Sequence, residues 1–326
     1  APARRPPARG RIPSEEEPRL KVRGSLAQAT KKNLNESLNA DMLERIAKDI
    51  FPDYDLHVRT GFPPNIPLTG QVAAGRIVDD AVDEGRYLQL IERLARLDRE
   101  GFMGRAYRIN GLYDLIKAVE TEGYIWDAET GHLMEDPRIR RTPNWGRLFE
   151  GEEFRFSLLR IDVVKNSRIV KVHGENLARD AFDDLRGILA RVVERRSGRV
   201  WNWQGDGALA GFLFGHSTTA SVLAGMALLH ELFLYDRLHN RIGEPLRVRA
   251  AVHTGPLRYH EDPREILKQE TVREVMEIES RWTPPGSLVI SPAVAPTLDR
   301  VILDRFKSSS GDSSRYLAYE IRLGGT

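Results

Sequence analysis

The stretch that most constrains this chain is residues 198–212, GRVWNWQGDGALAGF. A β-prone run enters a Gln-Gly-Asp-Gly tip and a small, apolar run leaves it. That is the signature of a β-hairpin whose glycines supply the positive φ of the turn. Asp206 stands at the tip between glycines, where a carboxylate can come close to a metal–phosphate group. An ordinary Asp-Gly turn accounts for the same residues, so the chemical reading needs a second carboxylate and a phosphate cradle elsewhere.

Both lie upstream. Residues 154–161 (FRFSLLRI) are apolar enough for a buried strand, and Asp162 stands at its carboxyl end. Val163-Val164-Lys165-Asn166-Ser167 then lead into a helical segment. Backbone N–H groups at a helix start form an anion site, and an acid beside them can hold a cation that bridges phosphates. Two acids, one per strand, are the minimum for a divalent pair acting on a nucleoside triphosphate. Taken alone, Asp162 also reads as a helix cap.

Together with Arg249-Ala250-Ala251-Val252-His253-Thr254-Gly255, these motifs resemble the catalytic domain of class III nucleotidyl cyclases, over residues 154–321. The resemblance implies an α+β fold, a ferredoxin-like antiparallel sheet with helices. It implies Asp162 and Asp206 as ligands of two Mg²⁺ or Mn²⁺ ions. Val163, Lys165, Asn166 and Ser167 match its phosphate-binding loop, with Lys165 at the place of the usual glycine. It further implies a nucleoside triphosphate substrate cyclised with release of pyrophosphate, and a homodimer whose sites lie at the subunit interface.

The departures from the family concern the base and the transition state. Adenylyl-specific members carry a lysine four positions before the hairpin aspartate, where this chain has Asn202. An amide both donates and accepts, so selection of a purine by a fixed ammonium is lost. Trp201 and Trp203 flank Asn202; one of them narrows the base pocket, or both fill the core. Arg273 and Glu277 stand where the family helix bears an asparagine and an arginine for the transition state. Arg273 is therefore the candidate catalytic cation, and Glu277 is expected to pair with Arg281. Three readings follow: an active cyclase of pyrimidine preference, similar to the uridylate and cytidylate cyclases of bacterial antiphage signalling; a conventional adenylyl or guanylyl cyclase; and a degenerate cyclase serving as a nucleotide-binding scaffold. Retention of both aspartates argues against the last.

The remaining bounds are broad. A chain of 326 residues suggests two domains, and a net charge of +2 gives no whole-surface attraction to nucleic acid. The absence of cysteine excludes a disulfide framework and thiolate chemistry and fits the cytoplasm. No apolar run approaches the ~18–20 residues of a membrane span, so no membrane partner is expected. Residues 1–30, rich in Pro and Arg, read as a disordered arm. Helical stripes follow at Leu38/Met42/Leu43/Ile46/Ile50, Leu88/Ile91/Leu94/Leu97 and Ile109/Leu112/Ile116/Val119. They mark residues 31–122 as a helical bundle. Residues 46–54 and 70–97 resemble death-like effector-associated domains, implying a protein partner for this part.

Residues 123–153 read as a linker with a short hairpin and a basic loop (Arg138, Arg140, Arg141) anchored by Trp145. Residues 154–326 form the cyclase-like domain in the order βααββαβ. Its first long helix turns Leu177, Phe182, Leu185, Leu189 and Val192 to one face. A helix spans 217–238, strands lie at 246–253 and 287–291, a helix near 272–281, and two late strands at 301–306 and 315–322.

Overall fold

The computed structural model describes residues 20–139, 142–205, 207–308 and 315–321. The chain divides into two compact units, one running to Trp126 and taking in Leu133–Glu135, the other comprising Asp127–His132 and the chain from Asp136.

The first unit is helical: α1 (Gly24–Ser37), α2 (Ala40–Ile50), α3 (Leu56–Thr60), α4 (Gly70–Asp83), α5 (Tyr87–Glu100) and α6 (Leu112–Thr121). Three of these helices begin at side-chain caps, where Asn39, Asp55 and Thr69 accept from the N–H groups of Met42, Val58 and Val72. Leu43, Ile46, Ala74, Ile77, Leu90, Ile91 and Leu94 form its dry centre. Helix α1 begins inside the stretch expected to be a disordered arm. Leu26, Thr30, Leu34 and Leu38 recur every four residues and are buried, which overrides the polar composition around them. Residues 1–19 lie outside the described residues. Two short strands, β1 (Tyr124–Asp127) and β2 (His132–Glu135), pair as a separate sheet.

The second unit runs β3 (Glu153–Val163), α7 (Asn166–His173), α8 (Glu175–Glu194), β4 (Arg199–Gln204), β5 (Gly207–Phe212), α9 (Ser217–Leu238) and β6 (Val248–Arg258). Then come α10 (Pro263–Leu267), α11 (Glu270–Glu277) with a π turn over Ile278–Trp282, β7 (Ser287–Ile290), α12 (Arg300–Leu303), β8 (Lys307–Ser308) and β9 (Leu317–Glu320). The seven-stranded sheet has the order β4-β5-β3-β6-β7-β9-β8, antiparallel at every pairing except β6–β7. Its first four strands, with α8 and α9, make the ferredoxin-like βαββαβ arrangement within an α+β unit, as expected.

Alternation along β3 sets the two faces of the sheet. Leu159, Ile161 and Val163 join Ala208, Ala210, Phe212, Ala250 and Val252 beneath α8 and α9. Phe156, Leu158, Arg160 and Asp162 point the other way, toward the side where α11 is seated. There Thr271 Oγ1 donates to Pro256 O, and a Cβ on Gly255 would meet Thr271 at 2.7 Å.

Several expectations change. Leu177 is exposed; Ala178 and Ala181 take the buried places at the start of α8, whose phase is set from Gly174. Residues 301–306 are not a strand. Asp299 caps Val301 N–H and starts the single turn of α12, leaving a two-residue β8. Helix α9 corrects the expectation about apolar runs: by length and composition it is long and apolar enough to cross a membrane. Here it serves as a core helix, burying Val222, Ala224, Leu228 and Leu232 against the sheet.

Candidate active site

Asp162 sits on the central strand, and the register places Gly207 directly across on one side and Arg249 on the other. These three residues form one rung of the sheet. Gly207 has no room for a side chain, because a Cβ there would run into the Arg160 guanidinium and the carbonyl of Ile161. Asp206, immediately before Gly207 in the chain, lies outside the described residues.

Asp162 is not idle. Its Oδ2 accepts from Arg249 Nη2 at 2.5 Å, and Arg249 Nε stands 2.8 Å from Glu279 Oε1. Glu279, in the π turn after α11, is 4 % exposed, and its second oxygen lies 3.9 Å from Arg160 Nε. Negative and positive groups thus alternate as Asp162, Arg249, Glu279 and Arg160. Among the described residues no group of three or more acidic or histidine side chains could hold a metal ion; Asp162 offers one part-buried carboxylate, and Arg249 occupies its Oδ2.

Val163, expected in the phosphate loop, is instead the last residue of β3, paired with Val248 and buried in the helix-covered core; the chain turns at Val164 and Lys165, and Val164 N–H donates to Arg247 O. Lys165 takes φ +59°, ψ +35°, the left-handed conformation in which glycine is preferred. A lysine therefore holds the shape that the missing glycine would supply. The first helical bonds of α7 run from Arg168 and Ile169 to Lys165 O, so the N–H groups of Asn166 and Ser167 precede them at the positive end of the helix. A cavity of about 270 Å³ beside this turn is lined by Lys165, Arg168, Arg247 and Glu244, among others. Glu244 binds the His173 ring at 2.9 Å, a contact that holds its carboxyl below the usual range, with Arg168 adding to the effect.

The base-side candidates separate. A bulge between Val200 and Asn202 shifts the register of β4. Asn202 pairs with Leu209, itself opposite Arg160, and so shares the face of Asp162. Trp201 lies on that face too, its ring over Gly211 and against Trp145 and Phe156, with Nε1 donating to Pro143 O. Trp203 pairs with Ala208 and packs on the helix-covered core, under Arg186. The structure therefore does not bring Trp203 together with Asp162 and Asn202. Trp145 is fully buried at the centre of the aromatic group; of the basic loop expected around it, Arg140 and Arg141 lie outside the described residues.

Arg273 is exposed on α11, and Glu277, one turn on, pairs with Arg281 at 2.8 Å. Behind them α11 is tied to the sheet by His253, whose Nε2 lies 2.7 Å from Glu274 and whose Nδ1 meets Ser291 Oγ at 2.9 Å. Sequence reading left Arg160, Arg249, Glu279, Arg168 and Arg247 without a role. The available signal was a charged residue inside an apolar strand, at even spacing from Asp162 or opposite it.

No family model matches this chain, and no curated protein matches it. Among solved structures it is similar to the monomeric guanylyl cyclase domain of the RhoGC fusion protein from the aquatic fungus Blastocladiella emersonii. That match has 15 % identity, covers 52 % of this chain and 97 % of the other, and has a TM-score of 0.44. A non-canonical dimeric form of that domain matches at 14 % identity over 53 % and 96 %, TM-score 0.43. The adenylyl cyclase CyaB from P. aeruginosa matches at 16 % identity over 54 % and 98 %, TM-score 0.43.

Proposed function

We propose that the second unit is a metal-dependent nucleotidyl cyclase, converting a nucleoside triphosphate to a 3′,5′-cyclic nucleotide and pyrophosphate. The observation that carries this reading is the rung Gly207–Asp162–Arg249. It sets one carboxylate of the motif directly across from the hairpin that bears the other, beside the positive end of α7.

When bound, a pair of Mg²⁺ or Mn²⁺ ions supplies Lewis acidity to the ribose 3′-hydroxyl and neutralises the triphosphate. Asp162 and Asp206 would hold them. The N–H groups of Asn166 and Ser167 and the ammonium of Lys165 would orient the phosphate chain. Asn202 would face the base from the same side of the sheet as Asp162. Arg273 faces away from its own sheet, which supports a role across a homodimer interface, where it would meet the developing phosphate charge of the partner's site. The finer reading is a pyrimidine substrate, as in antiphage signalling, because a neutral amide replaces a fixed charge at the base. Loss of a designed partner in a buried site shifts discrimination by about 1–3 kcal/mol, enough to change a base preference. The first unit, whose residues 46–54 and 70–97 resemble death-like effector-associated domains, is read as the docking part for a protein partner.

The test is turnover of ATP, GTP, CTP and UTP with Mn²⁺, by the wild type and by Asp162→Asn and Asp206→Ala. The expected result is cyclic product from UTP or CTP and a loss of at least about a thousandfold in either variant. ATP as the best substrate would refute the base assignment alone. Activity retained in Asp206→Ala would refute the cyclase assignment.

A further inference from the structure

The contacts of Arg249 are unequal. Its Nη2 donates a hydrogen bond to Asp162 Oδ2 at 2.5 Å. Its Nε stands 2.8 Å from Glu279 Oε1 yet makes no aligned hydrogen bond there. Its Nη1 donates a long bond to Ser280 O at 3.5 Å, so the guanidinium is held mainly by Asp162 with a second carboxylate within reach. Backbone pairing fixes Asp162 and Arg249 side by side, so only the arginine side chain is free to change partners.

We propose that Arg249 is an internal cation gate at Asp162, and that Glu279 is the seat that receives it when a divalent cation enters. This rests on the reading of Asp162 as a metal ligand. A dication at Asp162 repels the guanidinium, and a guanidinium moved off without a counter-charge would be a buried, unpaired ion. Glu279 removes that cost. It is buried, already at ion-pair distance, and gains alignment as the guanidinium rotates. Arg160, 3.9 Å from the other oxygen of Glu279, helps hold that carboxylate in place. Glu279 is then a positioning residue that acts on the cation through Arg249, and Arg249 sets a threshold concentration below which the site stays closed.

The test is Mn²⁺ titration of the full-length protein without nucleotide, followed by electron paramagnetic resonance of the free ion. Thermal melts establish folding of each variant. Arg249→Gln removes the competing cation and is expected to tighten Mn²⁺ binding roughly tenfold, the order for one close charge pair that no longer has to be broken. Glu279→Gln strands the guanidinium on Asp162 and is expected to weaken binding by a similar factor. In the double variant Arg249→Gln/Glu279→Gln the affinity should match Arg249→Gln alone, because Glu279 acts on the cation by way of Arg249. An Arg249→Gln variant that binds Mn²⁺ no tighter than wild type overturns the gate. A Glu279→Gln loss that persists in the double variant makes Glu279 a ligand and also overturns it. Should Glu279→Gln not fold, Arg249→Lys decides: its compact ammonium keeps a charge at Asp162, so affinity should stay near wild type while Arg249→Gln tightens. Unchanged Mn²⁺ binding in Asp162→Asn would sink the underlying reading of the site instead.

Discussion

The two faces of β3 are made from the same eleven residues and behave as different materials. Toward α8 and α9, Leu159, Ile161 and Val163 belong to one apolar cluster, joined on the same face by a single buried Ser157–Ser221 hydrogen bond among the described residues. On the other face, Leu158, Arg160 and Asp162 pass from an aromatic group around Trp145 and Trp201 to a run of alternating charges. The difference is one of tolerance. An apolar layer packs by shape and loses stability when a methyl group is removed. A charged layer is held by pairing and loses function when a sign is changed. A strand that serves both can move its chemistry without moving its core.

The largest effect expected on stability tests the helix-covered face. Ile161→Ala should destabilise the second unit by about 2–5 kcal/mol in urea unfolding, since Ile161 is fully buried between Ala208 of β5 and Ala250 of β6. Mn²⁺ affinity of the folded fraction should not change. An affinity loss without a stability loss would mean that the two faces are not separable.

Lys165→Gly sharpens the comparison from the other side. Releasing a left-handed lysine should raise the unfolding free energy modestly, by about 0.5–1 kcal/mol, while the charge lost from the proposed phosphate site should raise KM for the triphosphate. A variant with lower stability would show that the Lys165 side chain carries packing as well as charge.

The smallest effect is a pH dependence at His253, which lies between the faces' two styles: buried, yet hydrogen-bonded to Ser291 and 2.7 Å from the Glu274 carboxylate. Burial holds its ring below the ordinary histidine pKa; Glu274 opposes this and Arg155 adds to it. The unfolded chain therefore takes up a proton first as the pH falls, so stability drops below the ordinary value near 6.5 and is unaffected well above it. Stability measured from pH 7.5 to 5.5 should fall less steeply in His253→Asn than in wild type. Parallel slopes would assign the dependence to other groups.

What could be read beforehand follows the same division. The hairpin, the central strand and the order of elements were legible because turn chemistry and apolar runs are local signals. Residues 301–306 misled because VILDRF has strand composition, whereas Asp299 just before it is a cap that starts a helical turn. Helix α1 was hidden by its polar residues, although leucines at 26, 34 and 38 kept its period. The Arg249–Glu279 contact joins residues thirty positions apart, in elements whose facing sides are set by the fold and by no local pattern. The split between Trp201 and Trp203 depended on a bulge that nothing in residues 198–204 announces.

That bulge has a consequence for how such a chain can change. It makes Trp201 and Asn202, neighbours in sequence, share one side of the sheet, and sends Trp203 through to the other. Loss of one residue at the bulge would restore plain alternation, and the hairpin would keep its turn and its pairing with β5. The side chains before the gap would exchange sides, an indole on the chemical face for whatever had been in the core. Which side chain of this strand shares the face of Asp162 is therefore set by strand length as much as by residue type, and a three-nucleotide deletion in the gene would swap it for one from the opposite face.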